Sequence, residues 1–205
     1  KKNEFNIKSD IDDNLSFEAY SKKFSSVKKF LKEGDCYQIN LSKQYKAIVD
    51  GDSWEFYKVF RNLNKSRYMA FLDFKDFEIL SGSPERFIQV RDNDVVTRPI
   101  KGTKGRDKDP HQDQKNAKEL KKSIKDQSEN LMIVDLLRND LSKNCEIGSI
   151  KVSELFELES YPNVHHLVST ISGKLKTESS MTKLFSDSFP DVSDYVYRFV
   201  LGCLI

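Results

Sequence analysis

The chain has 205 residues, of which 38% are apolar and 32% are charged. That length is sufficient for one sizeable hydrophobic core, and the 11% aromatic content argues against a disordered chain. The 34 basic and 32 acidic side chains leave a formal net charge of only +2, so composition gives no reason to expect a nucleic-acid or membrane partner.

The cysteines and the apolar runs indicate a cytoplasmic protein. Cys36, Cys145 and Cys203 are widely spaced and form no CxxC or cysteine–histidine cluster, which is typical of reduced thiols rather than of disulfides or a zinc site. The longest apolar run, 195–205, is shorter than the roughly 20 residues of a membrane-spanning helix, and Arg198 interrupts it. No signal peptide is predicted at the start.

Periodicity predicts the elements of the first part of the chain. Residues 1–15 are polar and acidic, and a linker is expected there. Apolar residues at three-and-four spacing predict an amphipathic helix over 17–31, for which Gly34 is a natural end. Alternation predicts a strand within 36–49, and helical spacing returns over 53–64.

In the second part, short β-branched and aromatic runs divided by turn residues over 68–100 predict an antiparallel meander. A long helix is expected from about 111 to 141. Two strands are predicted over 149–161 and 163–175, and a short helix over 181–189. The pattern predicts the α+β class, with antiparallel sheets packed against helices in one domain.

Lys101 stands in "RPIKGT", a stretch that could present an amine to a substrate. Pro99 fixes a backbone angle, Ile100 is expected to point into the core, and strand alternation would turn Lys101 toward the opposite face. Gly102 allows close approach of a ligand, and Thr103 offers a hydroxyl and an amide to a carboxylate. A deprotonated lysine in such a place is a nucleophile, while plain solvation explains most lysines.

Three carboxylates are also candidates for chemistry. Glu85 follows Pro84 at a turn, where it could act as a general acid or form a surface ion pair with Arg86. Asp126 and Glu129 are three residues apart on one helix face and could hold a partly hydrated Mg²⁺, although compensation of the helix dipole or solvation explains them as well.

Adjacent histidines, His165 and His166, occupy a predicted strand. Their side chains should therefore point to opposite faces of the sheet, so at most one of them can enter a given site. The alternative for either is a hydrogen-bonded core histidine.

In chain order, "GDCYQINLS", "SPERF", "RPIKGT", "ENLMIVDLLRNDL" and "VHHLVSTI" resemble blocks of the chorismate-utilising family, which includes anthranilate, isochorismate and aminodeoxychorismate synthases. The resemblance implies two antiparallel sheets packed with helices around a chorismate and Mg²⁺ site. It implies that Glu129 is a Mg²⁺ ligand, that His166 is an active-site residue, and that Gly102 and Thr103 contact chorismate.

Lys101 indicates the subfamily that the chain resembles. Lysine at this position is typical of the first component of aminodeoxychorismate synthase, whereas anthranilate synthases typically carry alanine. In the former, the resemblance implies that Lys101 attacks C2 of chorismate as the C4 hydroxyl leaves, that Glu85 is the general acid, and that ammonia comes from a glutamine amidotransferase partner. Anthranilate synthase component I and an inactive binding remnant are the alternatives.

The chain departs from the family pattern after "FP" at 189–190. Family members continue into a glycine-rich segment and a region with a further Mg²⁺-binding glutamate. Here the domain over 16–190 is expected to be partial and inactive by itself. The divergent tail, 191–205, is attributed to a frameshift, a truncation, a sequencing artefact or true divergence.

Overall fold

A computed structural model describes residues 5–36, 39 and 41–188. Two compact units divide them, one ending at Ser83 and the other beginning at Pro84. The predicted tail, 191–205, lies outside the described residues, and the limits of one domain over 16–190 stay a prediction. In the described part of the chain, no helix combines the length and the apolar character needed to cross a membrane.

The first unit is built from two helices and short paired strands. Its elements are β1 (Asn6–Ile7), β2 (Asp12–Asp13), α1 (Phe17–Glu33), β3 (Tyr45–Lys46), β4 (Val49–Asp50), α2 (Ser53–Asn64), β5 (Tyr68–Asp73) and β6 (Glu78–Ser83). β1 pairs with β4, and β2 pairs with β3. The segment predicted as a linker therefore contains two short strands, and the strand predicted over 36–49 is reduced, among the described residues, to β3 and the first residue of β4.

Local capping fixes both helices of this unit where the sequence predicted them. The Ser16 hydroxyl accepts a hydrogen bond from the Ala19 N–H at the start of α1, and Gly34, at φ +81°, ends the helix. The Asp52 carboxylate accepts two backbone N–H bonds at the start of α2, at 2.8 and 3.2 Å. α2 packs on the β5–β6 hairpin.

The second unit contains one five-stranded sheet and three helices. Its elements are β7 (Arg86–Arg91), β8 (Asp94–Arg98), β9 (Ile100–Gly105), α3 (Pro110–Lys122), α4 (Ile124–Asn144), β10 (Lys151–Ser160), β11 (Val164–Lys174) and α5 (Met181–Ser188). The two strands and the short helix predicted for the end of this region are confirmed.

The long strand β11 organises this sheet. It pairs with β10 along one edge, while β8 and β9 lie end to end along its other edge, β8 on its second half and β9 on its first. The antiparallel meander predicted over 68–100 is wrong as one continuous unit, because β5 and β6 form a two-stranded sheet of their own while β7 and β8 belong to this one. The antiparallel pairing within each of the two pairs agrees with the prediction. Pro99 separates β8 from β9 because it has no N–H for the ladder.

Ser123 divides the helix that was predicted as continuous. Its N–H donates to the Leu120 carbonyl at the end of α3, and its hydroxyl accepts from the Asp126 N–H at the start of α4. One residue thus ends one helix and begins the next.

The core of the second unit lies between the helices and one face of β11. Its buried members come from β8, β11, α4 and α5 and from the residues that directly follow α4 and β11: Val95, Val134, Leu141, Cys145, Ile171, Leu175 and Leu184. α3 and α4 both pack on β9 and β11.

Candidate functional site

A β-bulge shapes β9 at the position of the candidate lysine. Ile100 pairs with Val168 of β11, and Thr103 pairs with His166. Between these two pairs β9 has two residues, Lys101 and Gly102, while β11 has only Leu167. The simple alternation predicted across "PIKGT" is therefore interrupted at the bulge.

Gly102 makes this bulge possible. Its φ is +88°, a backbone conformation that a side chain strongly disfavours. A Cβ at this position would lie 2.9 Å from Cβ of Asp126 and 3.0 Å from Cδ1 of Leu120. The start of α4 can therefore approach β9 closely only because the residue is glycine.

Thr103 and His166 meet across the two strands. The Thr103 hydroxyl oxygen lies 2.9 Å from Nδ1 of His166. The imidazole is half-buried, and burial lowers the pKa of His166 below its ordinary value of 6.5, while the charges of Glu159 and Glu85 oppose that effect. The geometry favours a neutral imidazole at neutral pH.

Glu85 contacts the backbone next to Lys101. Its carboxylate accepts a hydrogen bond from the Ile100 N–H at 2.7 Å, so the turn before β7 is tied to the start of β9. Lys101 itself is half-buried, and in the described part of the chain no hydrogen bond or ion pair engages its ammonium group. The structure thus brings the candidate acid to the residue adjoining the candidate nucleophile.

Glu129 stands on α4, outside the hydrogen-bonded group of the other candidates. Its side chain is 49% exposed on α4, and its carboxylate is 3.9 Å from the Lys125 amine one turn earlier. No hydrogen bond or ion pair among the described residues joins Glu129 to the other candidates. Asp126, on the same helix face, contributes the close contact with Gly102.

The carboxylates near the candidate site could bind Mg²⁺ only if the ion keeps several of its waters. Mg²⁺ in proteins commonly retains several waters and is bound by one or two carboxylates, and Glu129 offers one accessible carboxylate. Across the described ranges, no three His, Cys, Asp or Glu side chains lie close enough together to enclose a metal. Glu129 therefore fits one ligand of such an ion, not a complete protein cage.

The two histidines do point to opposite faces, as their adjacency predicted. His165 is only 3% exposed; its Nε2 lies 3.0 Å from the Asp113 carboxylate of α3, and its Nδ1 lies 2.8 Å from the Ser160 hydroxyl. It is a hydrogen-bonded core histidine that attaches α3 to the sheet. His166 alone shares a face with Thr103.

Sequence reasoning missed a charged network beside His166. Glu159 is its cross-strand partner on β10 and accepts hydrogen bonds from Arg98 and from the Tyr161 hydroxyl. The pairing of Glu159 with His166 could have been predicted from a two-residue turn at Pro162 and Asn163, because such a turn fixes the register of the two strands. Arg98 is 61 residues from Glu159 in sequence, so no local pattern indicates their contact.

Comparison with known proteins defines the class to which this fold and site belong. The chorismate binding enzyme family matches residues 1–193, and the chain belongs to that family. Anthranilate synthase component I from Streptococcus pneumoniae superposes with a TM-score of 0.78 at 29% identity, over 89% of this chain and 40% of that one. The predicted α+β fold is confirmed.

Within the family, the chain is more similar to one kind of enzyme than to another. Aminodeoxychorismate synthase component 1 of Escherichia coli (strain K12) is 44% identical over 187 residues, which are 91% of this chain and 41% of that protein. Anthranilate synthase component 1 of Saccharolobus solfataricus is 39% identical over 179 residues, 87% of this chain and 42% of that protein. The chain thus spans about two fifths of the length of these relatives.

Proposed function

We propose that the protein containing this chain is the chorismate-binding component of aminodeoxychorismate synthase. It would replace the C4 hydroxyl of chorismate by an amino group, giving 4-amino-4-deoxychorismate for the synthesis of 4-aminobenzoate and folate. The similarity to proteins of that name supports the assignment. The observation that carries it is local: Lys101 stands at a bulge, immediately after the Ile100 N–H that binds Glu85.

In the proposed reaction, the unprotonated Lys101 amine forms a bond to ring carbon C2. The two conjugated double bonds of the ring shift, the C4–O bond breaks, and Glu85 delivers a proton so that the hydroxyl leaves as water. The ionised Glu85 can then take the proton released from the alkylated nitrogen. Ammonia bonds to C4, the double bonds shift back, and the bond between C2 and Nζ breaks as Glu85 returns its proton to Nζ. The ionised Glu85 then takes the extra proton from the new ammonium group on C4, which restores both the free lysine and the protonated acid.

The remaining site residues would bind and orient chorismate. The half-buried, neutral His166 and the Thr103 hydroxyl present polar atoms on one face of the β9–β11 pair. Gly102 keeps the backbone accessible beside them. We further propose that Glu129 binds Mg²⁺, which when bound would neutralise and fix a substrate carboxylate.

Ammonia would come from a glutamine amidotransferase subunit, in line with the designation of the relatives as component 1. Anthranilate synthase component I is the second candidate, favoured by the 39% identity to such an enzyme. The two differ in product. Absorbance and fluorescence of the products formed from chorismate, Mg²⁺ and ammonium distinguish anthranilate from 4-amino-4-deoxychorismate, and an absence of turnover would support an inactive remnant.

The decisive variant is Lys101→Ala in the complete gene product. We expect 4-amination to fall on the order of 1,000-fold or more, as with other lost nucleophiles, or the product to change, while chorismate still binds. Lys104→Ala is the matched control, because Lys104 belongs to the same strand but pairs with His165 and contacts Glu119. An unchanged 4-amination rate in Lys101→Ala would remove this lysine from the mechanism.

A further inference from the structure

The His166 ring lies beside a carboxylate that two other side chains hold in place. Glu159 lies opposite His166 on the neighbouring strand and accepts hydrogen bonds from the Arg98 guanidinium and the Tyr161 hydroxyl. The Tyr161 and His166 ring centroids are 5.5 Å apart. One carboxylate and one aromatic ring therefore border the imidazole on the β10 side.

Arg98 is itself fixed by further contacts. Its Nε donates to the Thr170 hydroxyl at 2.9 Å, and its terminal nitrogen lies 3.4 Å from Glu154. Its side chain is only 18% exposed. The guanidinium of Arg98 therefore neutralises the charge of Glu159 and restrains the Glu159 carboxylate from moving toward His166. Charge-assisted hydrogen bonds of this kind are stronger than neutral ones.

The β9 side of the imidazole carries the Thr103 hydroxyl, bound at Nδ1. Among the described residues, Nε2 of His166 makes no hydrogen bond, so it is available to a ligand. Two acidic groups act on the ring, Glu159 from β10 and Glu85 from the turn before β7, and both would favour a protonated imidazole. Burial nevertheless prevails, and the pKa of His166 is lowered.

We propose that Arg98, Glu159 and Tyr161 are positioning residues that orient the His166 ring against Thr103 and balance the charge beside it, so that a neutral Nε2 faces the ligand. The proposal rests on the proposed function only in assigning His166 to the chorismate site. The orientation and charge of the ring are properties of the protein without substrate, and they can be measured there.

The test is an NMR titration of the His166 imidazole in the complete gene product without chorismate, with the resonance assigned by its loss in His166→Gln. Glu159→Gln removes a negative charge beside the ring, so the measured pKa of His166 should fall. Arg98→Met leaves Glu159 uncompensated, so the pKa should rise. The two substitutions should therefore shift the pKa of His166 in opposite directions.

Glu154→Gln is the matched control, because it removes another carboxylate bound to Arg98, one that pairs with Thr170 rather than with His166. We expect no shift from it. If Arg98→Met does not fold, the test is the pKa of His166 in the two glutamine variants, which should fall in Glu159→Gln and stay unchanged in Glu154→Gln. The same pKa of His166 in Glu159→Gln and Glu154→Gln would overturn the proposal. So would pKa shifts of the same sign in Glu159→Gln and Arg98→Met.

The result of the NMR titration can be distinguished from the result of the activity test for the proposed function. A wild-type protein that does not aminate chorismate, but whose variants show the opposite shifts, would refute the function and keep the network. In an active protein, the pH profile of kcat should move with the titration of His166, whereas a merely structural role would change stability without moving that profile.

Discussion

Gly102 is the single residue on which the geometry of the site most depends. Its positive φ allows the bulge in β9, and the absence of a Cβ lets Asp126 approach. The bulge in turn puts Ile100 and Thr103, three residues apart, opposite Val168 and His166, which are only two apart. A backbone feature thus determines which side chains of "PIKGT" share a face.

Gly102→Ala should therefore destabilise the protein by at least about 1 kcal/mol, because an L-residue at positive φ is strained and the new methyl would meet Asp126. Gly105→Ala in the same strand is the control. A Cβ there meets nothing within 4 Å, so its effect should stay within about 0.5 kcal/mol. Urea unfolding measures both, and equal midpoints would refute the argument.

Glu129→Gln tests the proposed magnesium ligand. The amide keeps the size of the side chain but removes the charge, so Mg²⁺ should bind more weakly, which isothermal titration detects independently of turnover. In Lys125→Gln the carboxylate remains and only its ion pair at 3.9 Å is lost, so affinity should be kept or improved. An unaltered magnesium titration in Glu129→Gln would reject the assignment.

At the scale of elements, α3 is attached to the sheet through Asp113. Its two oxygens share the Nε–H of Arg106, at 2.8 and 3.0 Å. The carboxylate also accepts a hydrogen bond from the Asp107 N–H and contacts His165. The Arg106 guanidinium above all, and then the Asp107 N–H, hold the pKa of Asp113 well below its ordinary value of 3.8. The ionised carboxylate is therefore part of the folded state.

Stability should depend on pH accordingly. Because the folded pKa of Asp113 is lower than the unfolded one, the stabilisation is present above about pH 4 and is lost as the pH falls toward the folded pKa. Asp113→Asn should be less stable than wild type at pH 7, and the difference should shrink below pH 4. Denaturant midpoints between pH 7 and pH 3 measure this stability difference, with the exposed Asp135→Asn as the control. A difference between wild type and Asp113→Asn that did not change with pH would contradict a lowered pKa of Asp113 in the folded protein.

At the scale of the whole molecule, α1 leaves its apolar side uncovered among the described residues. The sequence predicted this helix correctly, but no residue of it is buried, and Phe17 is 85% exposed. Tyr20, Phe24, Phe30 and Leu31 are exposed as well. Contiguous apolar surface of this kind commonly marks a surface that another structure covers.

We therefore expect the 205-residue chain to associate with itself through α1 as its concentration rises. Phe24→Glu should increase the monomer fraction in sedimentation velocity, because a charge would be buried in the contact. Ser25→Glu, one residue away and also exposed, should change it little. Equal association of the two variants would argue against α1 as the contact.

The sequence by itself determined the features that depend on neighbouring residues. Ser16, Gly34 and Asp52 cap α1 and α2 where the periodicity predicted them, because a cap bonds a backbone group within three or four residues. The opposite directions of His165 and His166 likewise follow from strand geometry alone. The five ordered motifs sufficed to indicate the family.

Tertiary structure decided the features that depend on strand register. The positions of β8 and β9 along β11, the bulge at Lys101 and Gly102, and the contact of Arg98 with Glu159 join segments that are tens of residues apart. A shift of one residue in register would move each of these side chains to the other face. Local propensity cannot fix that register, because it is set by which apolar faces are buried together.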